Sequence, residues 1–206
     1  CIPSGNHDMD RLARSLSPEE MKIAFAFLLS MPGAPFIYYG DEIGLRYVEG
    51  LTSVEGGYGR TGSRSPMQWD KTPNDGFSSA PAEKLYVKQD DAPDRPDAAS
   101  QCADETSLRS EVKRLIALRM AHPALQSKGT VSFLADNYPL AYVRSSAEES
   151  ILVIINPSAA PAVLSAEELC AANKKILYTV GGTVKENADH TLQVDGGTAA
   201  FIALTK

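Results

Sequence analysis

The sequence predicts an α/β segment followed by an all-β segment. Two short apolar stretches enclose a helical pattern within about 40 residues of the start, which is the strand–helix–strand order of a βα unit in a parallel sheet. From about Gly129, short apolar runs separated by turn signals are typical of a small antiparallel β-sandwich. With 206 residues, 43 % of them hydrophobic, the chain can hold two small domains, which we place at residues 1–128 and 129–206.

The first predicted helix covers residues 17–30 and has a clear beginning and end. Ser17 can cap it, Pro18 suits the first helical position, and Glu20 completes a capping box. It ends before Pro32-Gly33, because proline cannot continue a helix and glycine suits the left-handed cap. Apolar residues at helical spacing form the face that we expect to be buried: Met21, Phe25, Leu28 and Leu29.

Predicted strands lie on both sides of this helix. Residues 1–8 read as a short strand that runs into a loop, and Phe36 to Tyr39 read as a buried strand of aromatic and β-branched residues. Residues 45–105 are polar and lack periodicity, so we expect a long loop whose first part borders a site and whose second part is solvated. A second helix is predicted over residues 106–121, with Pro123 just beyond its end.

The predicted β-sandwich consists of six short strands with turn residues between them. Residues 166–171 read as a helical turn within this segment. The six strands are Val131 to Leu134, Leu140 to Val143, Ile151 to Ile155, Ile176 to Val180, Leu192 to Val194 and Ala199 to Leu204.

Composition and charge exclude several classes of partner. The net charge of −6 and the pI of about 5.1 argue against nucleic acid or an anionic membrane surface, since both need a basic face. No apolar run approaches the roughly 20 residues of a membrane span, and no signal peptide is visible. The widely spaced Cys1, Cys102 and Cys170 fit neither a disulfide framework nor a zinc site. We therefore expect reduced thiols, no metal ligands and a cytoplasmic protein.

Polar side chains follow both predicted strands of the α/β segment. Asn6-His7-Asp8 comes after the first, and Gly40-Asp41-Glu42 comes after the second. If these are the last two strands of a (β/α)8 barrel, chemistry belongs at their C-terminal ends, where both groups stand. Taken alone, Asn6-His7-Asp8 also fits a surface turn in which Asp8 caps a helix.

Three blocks in order carry a family resemblance. They are Asn6-His7-Asp8, then Pro35 to Gly44 (PFIYYGDEIG), then Arg64 to Trp69 (RSPMQW). Together they resemble the last third of the α-amylase family, glycoside hydrolase family 13, and look most like its α-glucosidase and oligosaccharide-acting branch. The resemblance covers nearly the whole chain. It implies the last βα units of a (β/α)8 TIM barrel followed by a small antiparallel β-sandwich.

The resemblance also implies roles for Asp8 and His7. Asp8 matches the third catalytic carboxylate of the family, which binds sugar hydroxyls where the bond breaks, and His7 matches the neighbour that contacts the same ring. This chemistry is physically reasonable, because glycosidic cleavage passes through an oxocarbenium-like transition state whose positive charge a carboxylate stabilises.

Further binding residues are implied by the same resemblance. Arg64 matches the arginine that closes the sugar pocket, although Ser65 replaces the usual threonine; the alternative is a surface ion pair. Arg11 could reach the acceptor side or be a solvated arginine. Tyr58, in a glycine-rich loop, could stack on a sugar at an outer subsite or serve no such role. Met67 and Trp69 fit packing positions, and Trp69 could also line the rim.

The carboxylates of Asp41 and Glu42 have a different interpretation from that of Asp8. Asp41 and Glu42 look like a catalytic pair, but the resemblance implies that they are hydrogen-bond acceptors within a loop. The family's nucleophile and acid/base have no counterpart in these residues. Since a retaining mechanism needs both, we expect this chain to be an inactive fragment that works with the N-terminal remainder of a parent enzyme.

The parent's expected substrates are α-glucans or α-gluco-oligosaccharides, and calcium could bind elsewhere in it. The alternative is a family relative without catalysis that acts as an interaction or structural module. The sequence leaves open the linkage, the substrate length, the choice between hydrolysis and transfer, secretion and the oligomeric state.

Overall fold

The structure, a computed structural model, describes residues 1–166, 169–170 and 172–205. The chain divides into two compact units. The first unit contains Cys1–Ile2, Lys22–Pro35 and Arg114–Lys206, and the second contains Pro3–Met21 and Phe36–Lys113. Our division after residue 128 stays a prediction. The helical turn predicted over residues 166–171 includes Glu167, Glu168 and Ala171, which lie outside the described residues.

Helix α1 spans Pro18–Ser30 and begins with the predicted capping box. The Ser17 backbone N–H donates to Glu20 Oε2 at 2.8 Å, and the Glu20 N–H donates to Ser17 Oγ at 3.3 Å. The capping box is therefore confirmed, and it satisfies two of the backbone donors that a helix start leaves free. The buried face also agrees with the sequence pattern, because Phe25, Leu28 and Leu29 are all buried.

Two buried arginines bind the carboxyl end of α1. Arg119 donates from Nη1 to the carbonyl oxygens of Leu29 at 2.6 Å and Met31 at 2.8 Å. Arg144 donates to the carbonyl of Ser30. Cations suit this position, because the last carbonyls of a helix are unsatisfied and carry the negative end of its dipole. Burial lowers the pKa of both guanidinium groups, yet an arginine remains charged at neutral pH.

Strands β1 (Ile2–Pro3) and β2 (Pro35–Phe36) are paired and shorter than predicted. The Ile2 N–H donates to the Ala34 carbonyl and the Ser4 N–H to the Phe36 carbonyl, so the bonds advance in the same direction and the strands run parallel. The predicted extension of β2 to Tyr39 is wrong. The Tyr38 N–H donates to a serine hydroxyl, Ser4 Oγ, and Gly40 then turns the chain at a φ of 84°.

The predicted long loop contains a short helix and has a core of its own. Helix α2 spans Ala98–Ala103, and Asp97 caps it by accepting the Ser100 N–H at 2.7 Å. Buried apolar residues of this segment form a cluster with Ile43, which lies just before it: Leu45, Met67 and Ala98. The predicted second helix is confirmed as α3, Leu108–Ala121. Among the residues that the structure describes, no helix combines the length and apolar character needed to cross a bilayer.

In the described part of the remaining chain, eight antiparallel strands form two sheets. One sheet has the order β3-β4-β5-β10-β7 and the other β6-β9-β8. Ile154 and Ile202 of the first sheet and Leu164 and Val194 of the second belong to one buried cluster, so the sheets pack as the predicted sandwich. Strands β6 and β8 were not predicted: β8 contains one apolar residue, Val184, and β6 was missed although it is apolar throughout and as long as the predicted β9. The strands are β3 Thr130–Ala135, β4 Leu140–Ser145, β5 Ser150–Asn156, β6 Ala162–Leu164, β7 Asn173–Val180, β8 Val184–Glu186, β9 Leu192–Val194 and β10 Thr198–Thr205.

Candidate active site

The loop after β1 presents His7 and Asp8 to solvent. Asn6 organises this loop, because its Oδ1 accepts the Asp8 N–H at 2.8 Å and its carbonyl accepts the Met9 N–H at 3.3 Å. The side chains of His7 and Asp8 remain 63 % and 47 % exposed. Asp8 caps no helix: the next helical turn begins after Arg11 without a side-chain cap. The alternative is therefore right that these residues form a surface turn and wrong that Asp8 caps a helix.

The carboxylate of Asp8 is the centre of a charged cluster. Its Oδ1 lies 2.9 Å from Arg64 Nη2 and 3.2 Å from Arg60 Nη1, and its Oδ2 lies 3.2 Å from His7 Nε2. Arg64 also donates from Nε to the His7 carbonyl at 3.1 Å. Exposed ion pairs contribute only about 0–1 kcal/mol to stability. Folding stability is therefore a weak reason for this cluster, and ligand binding is a better one.

Arg60 is a member of the cluster that the sequence reasoning missed. It lies four residues before Arg64, on the same loop, and both guanidinium groups reach one oxygen of Asp8. The available signal was this spacing, together with the glycine-rich stretch before Arg60 that leaves the loop free to turn. Two guanidinium groups on one carboxylate oxygen also leave N–H donors for a neighbouring ligand.

A tight backbone contact positions Arg64. Arg64 ends a 3₁₀ turn, Thr61–Arg64, in which a Cβ added at Gly62 would lie only 2.4 Å from the Val48 carbonyl oxygen. Glycine is therefore required for this close approach. Ser63 Oγ donates to the Met9 carbonyl at 2.5 Å, which ties the turn to the loop that carries Asp8.

Arg11 is buried, so the alternative of a solvated arginine is wrong. It is 2 % exposed and donates from Nη1 to Asp41 Oδ1 at 3.0 Å and to the Tyr39 carbonyl. Its guanidinium carbon lies 4.2 Å from the ring centre of Tyr38 and 4.7 Å from that of Tyr39. This contact joins the loop after β1 to the loop after β2. The contact of Arg11 with an acceptor sugar stays a prediction, and its present surroundings give it a positioning role.

Asp41 is a hydrogen-bond acceptor, as predicted, but its side-chain donors come from the loop after β1. Besides its contact with Arg11, its Oδ2 accepts the Ser4 hydroxyl at 2.6 Å. Tyr38 next to it donates from its hydroxyl to the Ser63 carbonyl at 3.2 Å. Burial raises the pKa of Tyr38 to about 12, so the phenol remains a donor throughout the physiological range.

Tyr58 lies on the surface. Its ring is exposed, while its backbone is held by Thr61, whose Oγ1 accepts the Tyr58 N–H at 3.0 Å. An exposed ring on an anchored backbone suits stacking, but its sugar contact stays a prediction. Met67 is buried as predicted, whereas Trp69 is half-exposed and lines a cavity, so its packing role is not observed.

Metal binding has no candidate group in the described part of the chain, where no three or more His, Cys, Asp or Glu side chains lie close enough to hold an ion. Calcium elsewhere in a longer protein stays a prediction. Cys1, Cys102 and Cys170 are free and exposed.

Comparison with known proteins identifies relatives for both parts of the chain. The α-amylase catalytic domain matches residues 2–128. Trehalose synthase/amylase TreS of Mycobacterium tuberculosis (strain H37Rv) is 36 % identical over 162 residues, which cover 73 % of this chain and 26 % of TreS. A probable α-glucosidase of Rhizobium meliloti (strain 1021) is 30 % identical over 222 residues, which cover 99 % of this chain and 39 % of that protein.

The fold has counterparts among solved structures. Isomaltulose synthase SmuA from Protaminobacter rubrum superposes with a TM-score of 0.81 at 22 % identity, over 100 % of this chain and 43 % of that one. At this identity the likeness shows the fold alone. The chain spans 26 % to 39 % of the length of the two curated relatives described above. Because the catalytic-domain match extends over residues 2–128, more than half of the sequence, the chain belongs to the α-amylase family, glycoside hydrolase family 13.

Proposed function

We propose that this chain forms part of the active site of a retaining glycoside hydrolase that acts on α-glucosidic bonds. The observation that carries the proposal is the exposed cluster in which Arg60, Arg64 and His7 surround the carboxylate of Asp8. The family relationship supports it, since the relatives named above include an α-glucosidase and a trehalose synthase/amylase. The proposed substrates are starch-derived or other α-gluco-oligosaccharides.

Asp8 would stabilise the transition state. As the bond to the leaving group breaks, positive charge grows on the sugar ring, and a fixed carboxylate nearby lowers the energy of that state more than the energy of the bound substrate. Hydrogen bonds from ring hydroxyls to Asp8 would strengthen at the same moment. Nothing has to reorganise during the reaction, because the two arginines and His7 already hold the carboxylate.

His7 and the two arginines would bind hydroxyls of the same sugar. Arg64 uses Nε and Nη2 for His7 and Asp8, and its Nη1 takes part in neither bond. This remaining donor can face a sugar hydroxyl without any loss of charge. Tyr58 would provide a stacking surface farther out, and Arg11 would act by holding the two loops together.

The remaining chemical groups would come from a longer polypeptide. A retaining mechanism needs a nucleophile and an acid/base about 5 Å apart, and we propose that both lie in a preceding part of a (β/α)8 barrel whose last βα units are β1 to β2 and their helices. Support for a longer protein is the share of 26 % to 39 % that this chain covers in the two relatives. In that protein the β-sandwich would serve as a C-terminal domain.

The proposal is tested by comparing the activity of the 206-residue chain with that of the longer polypeptide. The purified 206-residue chain should not hydrolyse 4-nitrophenyl α-glucoside or maltose, whereas the longer polypeptide should. Nuclear magnetic resonance of the first product should show the α-anomer, because two inversions restore the starting configuration. Hydrolysis by the isolated chain, or a β-anomer as first product, would contradict the mechanism. An inactive longer polypeptide would support the non-catalytic interaction module instead.

A further inference from the structure

A single buried carboxylate contacts both ends of the loop that carries Asp8. This loop covers residues 4–11 and follows β1. At its start, the Ser4 hydroxyl donates to Asp41 Oδ2 at 2.6 Å, and at its end Arg11 Nη1 donates to Asp41 Oδ1 at 3.0 Å. Because both oxygens belong to one planar group, Asp41 fixes the distance between the two ends of the loop.

The start of the loop lies directly against this carboxylate. Besides donating to Asp41, Ser4 Oγ accepts the Tyr38 N–H at 3.0 Å. A Cβ added at Gly5 would lie 3.1 Å from Asp41 Oδ2, which is tighter than ordinary van der Waals contact. The backbone is therefore held in place shortly before His7, where the exposed side chains of the loop begin.

The contact of Asp41 with Arg11 is a buried ion pair, with the side chains 1 % and 0 % exposed. Hydrogen bonds between charged groups are stronger and more directional than neutral ones. Replacing a buried ion pair by apolar side chains of similar volume is nevertheless often neutral for stability. Folding stability is therefore a weak reason for this pair, and accurate placement of the loop is a better one.

Accurate placement matters because the loop presents Asp8 to the reacting sugar in the proposed mechanism. A displacement of about 1 Å can lower a reaction rate about a hundredfold. The middle of the loop has a further contact, since Arg64 Nε donates to the His7 carbonyl at 3.1 Å. A change at Asp41 would thus loosen the ends of the loop and leave this contact in its middle.

We propose that Asp41 is a positioning residue, which acts through Asp8 by fixing both ends of residues 4–11. The inference rests on the proposed function for the role of Asp8. It extends that function from exposed groups to a buried carboxylate that need not touch the substrate.

Asp41→Asn tests the proposal in the longer polypeptide. It keeps the size of the side chain but replaces one acceptor oxygen by a donor, so one end of the loop loses its bond. For 4-nitrophenyl α-glucoside, kcat should fall about tenfold to a hundredfold while KM changes less than about threefold, because Asp8 acts mainly on the transition state.

The same substitution in an Asp8→Asn background distinguishes positioning from a general structural role. There Asp41→Asn should lower kcat less than about threefold, because the carboxylate that it would displace is already absent. Equal losses in the two backgrounds would show that Asp41 supports the fold in general, and they would overturn the proposal.

Ser4→Ala tests one end of the loop and leaves the buried ion pair intact, so it decides the question if Asp41→Asn does not fold. It should lower kcat about threefold to tenfold. The matched control is Ser100→Ala in the same unit, because the Ser100 hydroxyl also donates to a buried carboxylate, Asp97 Oδ2, at 2.8 Å. This control should keep the wild-type kcat, and a Ser4→Ala enzyme as active as the control would contradict the proposal.

Hydrogen–deuterium exchange separates this inference from the proposed function. In the 206-residue chain, peptides from residues 4–11 should exchange faster in Ser4→Ala and Asp41→Asn than in the wild type and Ser100→Ala. If exchange rises in this way but Asp8→Asn stays active, the proposed function is wrong and the fixing of the loop by Asp41 stands. If Asp8→Asn loses turnover but neither substitution changes exchange or kcat, the positioning role is wrong and the proposed function stands.

Discussion

Asp8 and Arg64 share a geometry that depends on the shape of the guanidinium group. Arg64 contacts the Asp8 carboxylate through Nη2 and the His7 carbonyl through Nε, at 2.9 and 3.1 Å. A planar fork can make both bonds at once, whereas the single ammonium group of lysine cannot reproduce the fork. The positive charge of residue 64 and the forked shape of its side chain can therefore be tested separately.

Arg64→Lys keeps the charge and removes the fork. We expect kcat/KM of the longer polypeptide for an α-glucoside to fall about tenfold to a hundredfold, since a hydrogen bond to a charged group is lost. The control is Arg46→Lys, which affects an ion pair with Asp90 at 3.0 Å; the side chains of Arg64 and Arg46 are 34 % and 33 % exposed. Equal losses in both variants would show that the geometry at Asp8 has no special role.

The raised pKa of the Glu42 carboxyl should make the folding stability depend on pH. Burial is the largest cause that raises the pKa of its carboxyl above the usual 4.5. Below pH 4.5 the group is protonated in both the folded and the unfolded chain. As the pH rises from there through the raised pKa, the unfolded chain ionises first and stability is lost. Glu42→Gln cannot ionise, so its melting temperature should match the wild type at pH 4 and exceed it at pH 7.

Thermal melts at the two pH values check this expectation. Glu83→Gln is the control, because Glu83 is an exposed carboxyl of the same unit. It should show no growing difference from the wild type between pH 4 and pH 7. A melting temperature of Glu42→Gln that stays equal to the wild type at pH 7 would contradict the assigned burial of Glu42.

Among the elements, α1 shows how local sequence signals determine structure. The Ser17–Glu20 pair starts the helix as predicted, since both bonds of the capping box connect residues three apart and need no distant contact. The carboxyl end of α1 is different. It is bound by Arg119 and Arg144, which lie about 90 and 114 positions away along the chain. No local sequence pattern predicts such distant partners.

Ser17→Ala tests the local signal. Loss of the capping hydroxyl should lower the free energy of unfolding by about 1 kcal/mol, as measured by denaturant titration. Ser132→Ala, at an exposed position on β3, serves as the control and should change it by less than about 0.5 kcal/mol. No difference between the two variants would mean that the capping box adds nothing to the stability of α1.

For the strands of the sandwich and for the site alike, the sequence predicts some parts and misses others. The predicted strands of the sandwich follow from apolar runs between turn residues, whereas β8 has a single apolar residue and β6 was missed despite its apolar sequence. In the site, Asp8 and Arg64 were found through the family blocks. Arg60 was missed, because its role depends on which side chains the folded loops bring within reach.

For the molecule as a whole, the family was predictable and the activity is a proposal. The order of the three blocks identified the α-amylase family, and the domain match over residues 2–128 confirms it. The antiparallel β-sandwich is present as predicted, and the strand–helix–strand order is present with shorter strands, while the barrel stays a proposal. The proposed inactivity of the isolated chain would follow from the missing nucleophile and acid/base.

The central claim is that Asp8 stabilises the transition state of α-glucoside cleavage. The most direct test measures kcat/KM of the longer polypeptide for 4-nitrophenyl α-glucoside in Asp8→Asn and in Asp10→Asn, its neighbour in the same loop, which pairs with Arg14 at 2.8 Å. We expect a loss of about a hundredfold to a thousandfold for Asp8→Asn and near wild-type activity for Asp10→Asn. An Asp8→Asn enzyme as active as the Asp10→Asn enzyme would contradict the claim.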